Sequence, residues 1–460
     1  MSLLIKNGEI VTASERYIGN ILCEDGKITA IGHDLEAEGG EVIDAAGMYV
    51  FPGFIDPHTH IYLPFMGTYA KDTYETASKA ALIGGTTCFI DFCIPDPGEE
   101  PLTALNTWNS KSEGQSACDY TYHMAVTDLN DAFAGQLREI VNTHGVASFK
   151  VFLAYKGALD LGDEKLYELM KLAKELGVIV TAHCENADLV ALLQKKLLSE
   201  GKTGPEWHYH SRPPRVEAEG TGHLMTFAEL LGTHVYVVHL SCEEALAEAM
   251  RAKSRGVNAW VETLIQYLVL DMTYAELPDF EGAKFVMSPP LRDKANQAVL
   301  WNALRQRFIS TLSTDHAPFD FGDQKTMGKD NFTTIPNGIP SLEDRVNLLW
   351  THGVQEGRLD LHTFVDCAST QAAKIFGLFP RKGTVQVGCD ADLVVYDPHY
   401  KGTISAKTHT INTDYSAFEG WEIKGRPHVV TVHGEVAARD GAFVGTVGRG
   451  QFLKREPTHF

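Results

Sequence analysis

Histidines and one aspartate follow short apolar segments at four separate places in this sequence. His58 and His60 lie two residues apart, and because alternate side chains of a strand share a face, this pair could hold one metal ion. The other three residues are His183, His239 and Asp315. Asp315 could bind a cation or move a proton. Taken singly, each histidine could equally be structural, and the aspartate could cap a helix.

Lys150 places an amine in the middle of the apolar segment Ser148-Phe149-Lys150-Val151-Phe152. Burial should lower its pKa from about 10.4 and favour the neutral amine. A neutral amine can add carbon dioxide, and the resulting carbamate is an anionic oxygen ligand that can bridge two metals. Without the histidines, a lysine in a buried ion pair would be the preferred interpretation.

Together these groups supply four imidazoles, one carboxylate and one potential carbamate, which is enough for two adjacent metal ions. Nitrogen and oxygen ligands without thiolate suit Zn²⁺, and Mn²⁺ or Co²⁺ could substitute. Two such ions about 3.5 to 4 Å apart would share a hydroxide nucleophile. The spacing therefore indicates metal-assisted hydrolysis.

The elements that must position these groups form an alternating pattern. Short apolar, β-branched runs alternate with amphipathic stretches, which is typical of βα units on a parallel sheet. Eight such units predict an α/β fold with a TIM-type (β/α)8 barrel, whose active site lies at the carboxyl ends of the strands. The predicted strands lie near residues 54–55, 89–92, 120–125, 149–153, 178–181, 235–238, 259–261 and 309–313. The predicted helices include residues 74–83, 164–176, 243–254 and 296–308.

The two ends of the chain have a different hydrophobic pattern from the middle. Residues 1–52 alternate with the period of a strand, with turns predicted at Asn7-Gly8, Asp25-Gly26 and Gly39-Gly40. A similar alternating pattern recurs at residues 383–396 and 428–444, where Asp440-Gly441 predicts a hairpin turn. We expect residues 1–52 and 379–460 to form a small, antiparallel β-sandwich domain with a C-terminal tail, and residues 53–378 to form the barrel.

Composition excludes several kinds of partner. The 460 residues contain 40 Lys and Arg against 60 Asp and Glu, and a net charge of −20 disfavours nucleic acid and anionic membranes. The N-terminus lacks a signal-peptide pattern, and no apolar run reaches 18 residues. The eight cysteines show no CxxC spacing and are expected to be reduced. These features predict a soluble, cytoplasmic protein that acts on small molecules.

Longer motifs around these residues resemble those of the cyclic amidohydrolases of the dihydropyrimidinase and hydantoinase family, most closely its bacterial D-hydantoinase branch. The resemblance covers nearly the whole chain. The motifs are residues 53–60, 148–152, 182–186, 238–239, 287–292 and 335–338.

The resemblance implies a carboxylated Lys150 that bridges two zinc ions together with a hydroxide. One ion would also be held by His58, His60 and Asp315, and the other by His183 and His239. Asp315 would take a proton from the attacking hydroxide and deliver it to the leaving ring nitrogen.

The resemblance also assigns substrate contacts. It implies that Tyr155 donates its hydroxyl to the developing oxyanion, and that main-chain groups of Ser288 and Asn337 pair with the cyclic amide edge. Without it, Tyr155 would be interpreted as a core aromatic, and the other two as turn residues. His316 and Cys184 lie beside ligands and are expected only to pack against them.

Within this family, residues 60–66 favour a neutral ring. Dihydroorotase-like relatives carry an arginine shortly after the His-X-His pair to bind a substrate carboxylate, whereas this segment is largely apolar. We therefore expect 5-substituted hydantoins and dihydropyrimidines to be opened to N-carbamoyl amino acids. Candidate pocket-lining residues are Leu63, Phe65, Phe152 and Leu159, each of which could also be an ordinary loop hydrophobe.

The sequence leaves two alternative functions open, and the resemblance also implies an oligomeric state. The site could serve an allantoinase-like amidohydrolase, and the family includes non-catalytic scaffold proteins that have lost metal ligands, although all ligand positions are present here. The resemblance further implies a homotetramer, with tail residues 450–457 contributing to subunit contacts.

Overall fold

The structure is a computed structural model that describes residues 2–37 and 39–458. The chain begins with the strands β1 (Ser2–Val11), β2 (Arg16–Glu24), β3 (Lys27–Gly32), β4 (Glu41–Asp44) and β5 (Tyr49–Pro52). Asp25-Gly26 forms the turn between β2 and β3, as predicted, with φ of 50° and 81°. The turn predicted at Asn7-Gly8 is wrong. Asn7 has φ 61° and lies in a bulge inside β1, where the register with β2 shifts.

The eight barrel strands are parallel, and each pairs with the next. A small hairpin separates the first barrel strand from the second. In chain order the strands are β6 (Phe54–Thr59), the hairpin β7 (Pro64–Phe65) and β8 (Thr68–Tyr69), then β9 (Thr86–Cys93), β10 (Asp119–Ala125), β11 (Ser148–Phe152), β12 (Ile179–His183), β13 (Val235–Val237), β14 (Ala259–Leu264) and β15 (Thr311–Ser313).

The barrel closes beyond β15, where the N–H of His60 donates to the carbonyl of His316 at 2.8 Å. Nearly every strand residue is buried, because helices cover the outer faces and side chains fill the interior. All eight predicted strands are present, which confirms the predicted barrel.

The helices agree with the amphipathic pattern. They are α1 (Tyr74–Ile83), α2 (Pro101–Ser112), α3 (Asp131–Glu139), α4 (Asp163–Leu176), α5 (Ala187–Ser199), α6 (Trp207–Ser211), α7 (Pro214–Leu231), α8 (Glu243–Ser254), α9 (Ile265–Val269), α10 (Ala295–Arg305), α11 (Arg345–Leu349), α12 (Leu361–Val365) and α13 (Gln371–Ile375). Helix α1 begins at a capping box formed by Thr73 and Thr76. Helix α10 ends three residues before the predicted Phe308, because Arg307 adopts a left-handed φ of 60°.

The last strands return to the first sheet. They are β16 (Leu393–Thr403), β17 (Glu422–Val432), β18 (Glu435–Arg439) and β19 (Ala442–Phe443), with the predicted Asp440-Gly441 turn between the final two. Strand β16 pairs antiparallel with β5, so both chain ends share one nine-stranded sheet, as predicted. The all-antiparallel expectation is wrong, because β1 pairs in parallel with both β4 and β5. Strands from both ends share one apolar core.

The C-terminal tail packs against its own barrel. Phe452 bridges to Tyr120 of β10, and Leu453 is buried. Arg455 is 2% exposed and donates hydrogen bonds to the Tyr122 carbonyl and, at 2.9 Å, to Ser148 Oγ. A chain shortened after Val447 would lose this packing, so its mass alone would not report on the predicted role of the tail between subunits.

We expect Arg455→Met to lower the free energy of unfolding by about 2–4 kcal/mol, because buried acceptors lose a charged donor. The measurement is denaturant unfolding. The matched control is Lys454→Met on the same tail, whose exposed amine donates to the Thr143 carbonyl at 3.1 Å. Equal effects of the two substitutions would contradict this prediction.

Two further properties concern the described residues. All eight cysteines are buried and free. No helix among residues 2–37 and 39–458 is long and apolar enough to cross a membrane.

Candidate metal centre and active site

The carboxyl ends of the barrel strands open into a cavity of about 450 Å³. The structure brings every residue proposed for the site to the wall of this one cavity. They are His58, His60, Lys150, His183, His239 and Asp315 as metal ligands, Tyr155, Ser288 and Asn337 as substrate contacts, and Leu63, Phe65, Phe152 and Leu159 as apolar lining. Residues up to 279 positions apart therefore share one space, because each follows or belongs to a neighbouring barrel element.

His58, His60 and Asp315 converge at the end of β6. Oδ1 of Asp315 lies 3.0 Å from Nε2 of His58 and 2.9 Å from Nε2 of His60. The two Nε2 atoms are 3.3 Å apart. Burial opposes a charge on His58, but the carboxylates of Asp315 and Glu262 outweigh it and raise its pKa to about 9. These three ligand atoms lie close enough together to hold one divalent cation.

Two buried glutamates orient the histidines. Nδ1 of His58 lies 2.7 Å from Oε1 of Glu262, and Nε2 of His183 lies 2.7 Å from Oε2 of Glu185. These contacts leave Nε2 of His58 and Nδ1 of His183 for a metal. Arg212 forms a buried ion pair with Glu185. The sequence interpretation missed both glutamates, although Glu185 lies in a quoted motif and Glu262 is a charged residue inside the apolar strand β14.

Lys150 is 1% exposed and lies in β11. Its Nζ is 4.8 Å from the ring centre of Phe92 and 4.9 Å from that of Phe152. Within the described part of the chain no carboxylate forms an ion pair with it, so the buried-ion-pair interpretation does not hold there. Burial lowers its pKa to about 8. The neutral amine that carboxylation requires is therefore accessible near neutral pH.

His183 and His239 form the second group. Their ring centres are 4.4 Å apart, and the ring of His239 also lies 5.3 Å from that of His58. Burial lowers the pKa of both His183 and His239, which keeps nitrogen lone pairs free. Beside Lys150 and Asp315, these imidazoles complete a nitrogen and oxygen donor set. The residues present fit two divalent cations.

Three site residues adopt left-handed backbone conformations that are uncommon outside glycine. The φ angles are 63° for Tyr155, 40° for His239 and 51° for Asp315. Such angles cost of order 1–3 kcal/mol each and cluster at functional sites. Here they turn side chains that follow a strand into the cavity.

The substrate-facing wall has a polar and an apolar part. Nδ2 of Asn337 donates to Oγ of Ser288 at 3.0 Å, which places the two loops side by side. The ring of Tyr155 packs edge-on against Phe65 at 5.6 Å and lies 5.4 Å from His183. The part of the cavity wall that the structure describes contains no arginine. A substrate carboxylate therefore has no guanidinium partner here.

His316 and Cys184 occupy supporting positions. Nε2 of His316 lies 2.7 Å from Asp72, and its Nδ1 accepts the N–H of Ser341 at 3.1 Å. The Cys184 thiol donates to the carbonyl of Ala182 at 3.4 Å. Neither lines the cavity.

A parallel barrel that gathers imidazoles, a carboxylate and a buried lysine at its carboxyl ends defines the class of TIM-barrel metal-dependent hydrolases. The chain belongs to the amidohydrolase family, whose family model matches residues 49–437.

Individual relatives cover the whole chain. A D-hydantoinase of Geobacillus stearothermophilus is 49% identical over 455 residues, which are 99% of this chain and 97% of the relative. A dihydropyrimidinase of Rattus norvegicus is 40% identical over 99% of this chain and 89% of its own length. A solved D-hydantoinase (dihydropyrimidinase) structure from Thermus sp. superposes with a TM-score of 0.98 at 62% identity, covering 100% of both chains. The resemblance predicted from the motifs is confirmed.

Proposed function

We propose that this protein is a binuclear-metal hydrolase that opens the cyclic amide of 5-substituted hydantoins and dihydropyrimidines to give N-carbamoyl amino acids. The observation that carries the proposal is the convergence of four imidazoles, Asp315 and an unpaired, buried Lys150 on one cavity with an apolar side. The names of the relatives, D-hydantoinase and dihydropyrimidinase, support the same ring class.

Two Zn²⁺ ions would be held at this site, with Mn²⁺ or Co²⁺ as possible substitutes. His58, His60 and Asp315 would hold one ion, His183 and His239 the other, and carboxylated Lys150 would join them. When bound, the ions would polarise the ring carbonyl and lower the pKa of a shared water. Glu262 and Glu185 fix the imidazole orientations that this requires.

The remaining steps use the side chains of this chain. Asp315 accepts the proton of the attacking water and returns it to the leaving ring nitrogen, so one carboxylate acts first as base and then as acid. Burial opposes its ionisation, but His58 and His60 hold its pKa well below the usual range, so it starts ionised. The hydroxyl of Tyr155 donates to the carbonyl oxygen as charge develops there.

The cavity wall sets the substrate class. Main-chain groups of Ser288 and Asn337 hold the cyclic amide edge. The substituent at ring position 5 lies against Leu63, Phe65, Phe152 and Leu159, which are apolar and line the same cavity. A neutral ring with an apolar substituent fits these two surfaces.

Ring opening by the metal-loaded protein tests the proposal. The panel is dihydrouracil, D- and L-5-substituted hydantoins and allantoin, assayed before chelation, after chelation, and after the return of Zn²⁺ and bicarbonate. We expect turnover of the first two ring types to vanish with the metal and to come back. Turnover that survives complete metal removal would contradict the mechanism, and turnover of allantoin alone would contradict the substrate class.

We also propose a cellular location, a domain division and an assembly state. The eight free cysteines are compatible with a cytoplasmic location, where thiols stay reduced. Residues 1–52 and 379–460 form a small β-sandwich domain with a C-terminal tail, and residues 53–378 form the hydrolase barrel. The chain assembles as a homotetramer, which light scattering of the intact chain would check.

A further inference from the structure

Lys325 is a second buried lysine close to the cavity, and nothing in the proposed mechanism uses it. It is fully buried in the short 3₁₀ segment Lys325–Gly328. Its Nζ donates to three main-chain carbonyl oxygens, at 2.9 Å to Val286, 2.7 Å to Pro336 and 2.8 Å to Gly338. Within the described part of the chain, no carboxylate pairs with it.

The number of acceptors indicates the protonation state. Burial lowers the pKa of this amine, whereas the three carbonyl oxygens favour the protonated form, since only the ammonium has three N–H donors. Hydrogen bonds from a charged donor are about twice as strong as neutral ones. Lys325 therefore ties three carbonyl groups to one point.

Those carbonyl groups flank the two residues proposed to hold the cyclic amide. Val286 precedes Ser288 by two residues, and Pro336 and Gly338 are the neighbours of Asn337. A further hydrogen bond, from the N–H of Gly338 to the carbonyl of Val286 at 3.0 Å, joins the same two loops. The ammonium group therefore connects two loops that lie far apart in the sequence.

The contact to Pro336 has a second effect. The carbonyl of Pro336 and the N–H of Asn337 belong to one peptide unit, so a cation on the carbonyl polarises that N–H and strengthens it as a donor. Among residues 2–37 and 39–458, no protein acceptor receives the main-chain N–H of Asn337. It remains available to a ligand in the cavity that Asn337 lines.

We infer that Lys325 is a positioning residue for substrate recognition: its ammonium group sets the spacing of the Ser288 and Asn337 loops and strengthens the Asn337 N–H that binds the cyclic amide. This inference rests on the proposed function. Lys325 acts through the main chain and does not touch the ring. Its contribution is made to the bound substrate and the transition state alike, so its loss should raise KM and leave kcat nearly unchanged.

The neighbouring residue provides a matched control. Gln324 is also buried, but its amide nitrogen Nε2 donates to Oγ1 of Thr68 at 2.6 Å and to the carbonyl of Tyr69 at 2.8 Å. Both acceptors lie in β8, the hairpin strand that pairs with Phe65. Gln324→Leu therefore removes buried hydrogen bonds from the same segment without releasing the Ser288 and Asn337 loops.

The test compares steady-state kinetics of metal-loaded wild type, Lys325→Met and Gln324→Leu on dihydrouracil and on a 5-substituted hydantoin. For Lys325→Met we expect KM to rise at least about tenfold on both rings, with kcat within about threefold and metal content unchanged. For Gln324→Leu we expect the KM for unsubstituted dihydrouracil to change by less than about threefold. If Lys325→Met does not fold, Lys325→Gln, which keeps two N–H donors, should show a smaller rise in KM.

The outcomes separate the two ideas. If wild type opens neither ring, the proposed function fails. Suppose that wild type opens both rings and that the Lys325 variants keep the wild-type KM, while their apparent kcat falls only by as much as the fraction of folded, metal-loaded protein falls. The role of Lys325 is then only structural, and the inference is overturned. An equal rise in the dihydrouracil KM of Gln324→Leu would overturn it as well.

Discussion

Lys150→Ala is expected to lose both metal ions and to lower ring-opening activity by at least about a thousandfold, which corresponds to about 4 kcal/mol of transition-state stabilisation. The physical reason is that Lys150, carboxylated as proposed, would supply an anionic oxygen bridge between His58 and His183, which line the same cavity. Metal content per subunit and ring-opening rate are measured on the same samples.

Rescue separates loss of the bridge from loss of the fold. A short carboxylic acid added to Lys150→Ala should partly restore metal and activity, because its carboxylate can occupy the space left by the side chain. Lys150→Met, which fills that space, is the matched control and should not respond. Carboxylation itself is read from a carbamate signal after labelling with ¹³C-bicarbonate. Bare lysine in the fully active, metal-loaded protein would contradict the assignment.

The second large effect is expected for Asp315→Asn. The amide keeps the shape and an oxygen ligand but cannot carry the proton, so kcat should fall by about 10²–10⁴-fold while both metals stay bound. Metal analysis accompanies the kinetics, because Asp315 also touches His58 and His60.

A buried aspartate outside the cavity is the control for this substitution. Asp119 begins β10 and is bound by Lys382 and His433 at 2.5 and 3.0 Å. Asp119→Asn should reduce stability, yet each folded, metal-loaded molecule should keep wild-type turnover. Near wild-type turnover of Asp315→Asn with both metals present would show that another group moves the proton.

Local sequence patterns were sufficient to predict several helix bounds and the positions of the candidate metal ligands. Helix α1 and helix α8 have the predicted bounds, because apolar spacing acts between residues of neighbouring turns, and α1 also begins at the Thr73 capping box. The placement of each candidate ligand followed from where an apolar run stops, since parallel strands bring their carboxyl ends together. The roles of Tyr155, Ser288 and Asn337 came only from family resemblance, because a hydroxyl or a turn residue carries no periodic signal.

The order of residues along the chain was enough to predict the barrel, the joining of the chain ends in one sheet, and the residues that could hold metal. The groups that orient those residues became visible in the folded chain alone. Glu262 reaches His58 across 204 positions, and Lys325 reaches the Val286 carbonyl across 39. The local sequence pattern also did not predict that β1 pairs in parallel with β4 and β5, or that Arg455 is buried against the barrel. The physical reason is that hydrophobic periodicity is set by neighbours along the chain, whereas a buried charge is stabilised by whichever distant groups packing brings within hydrogen-bond distance.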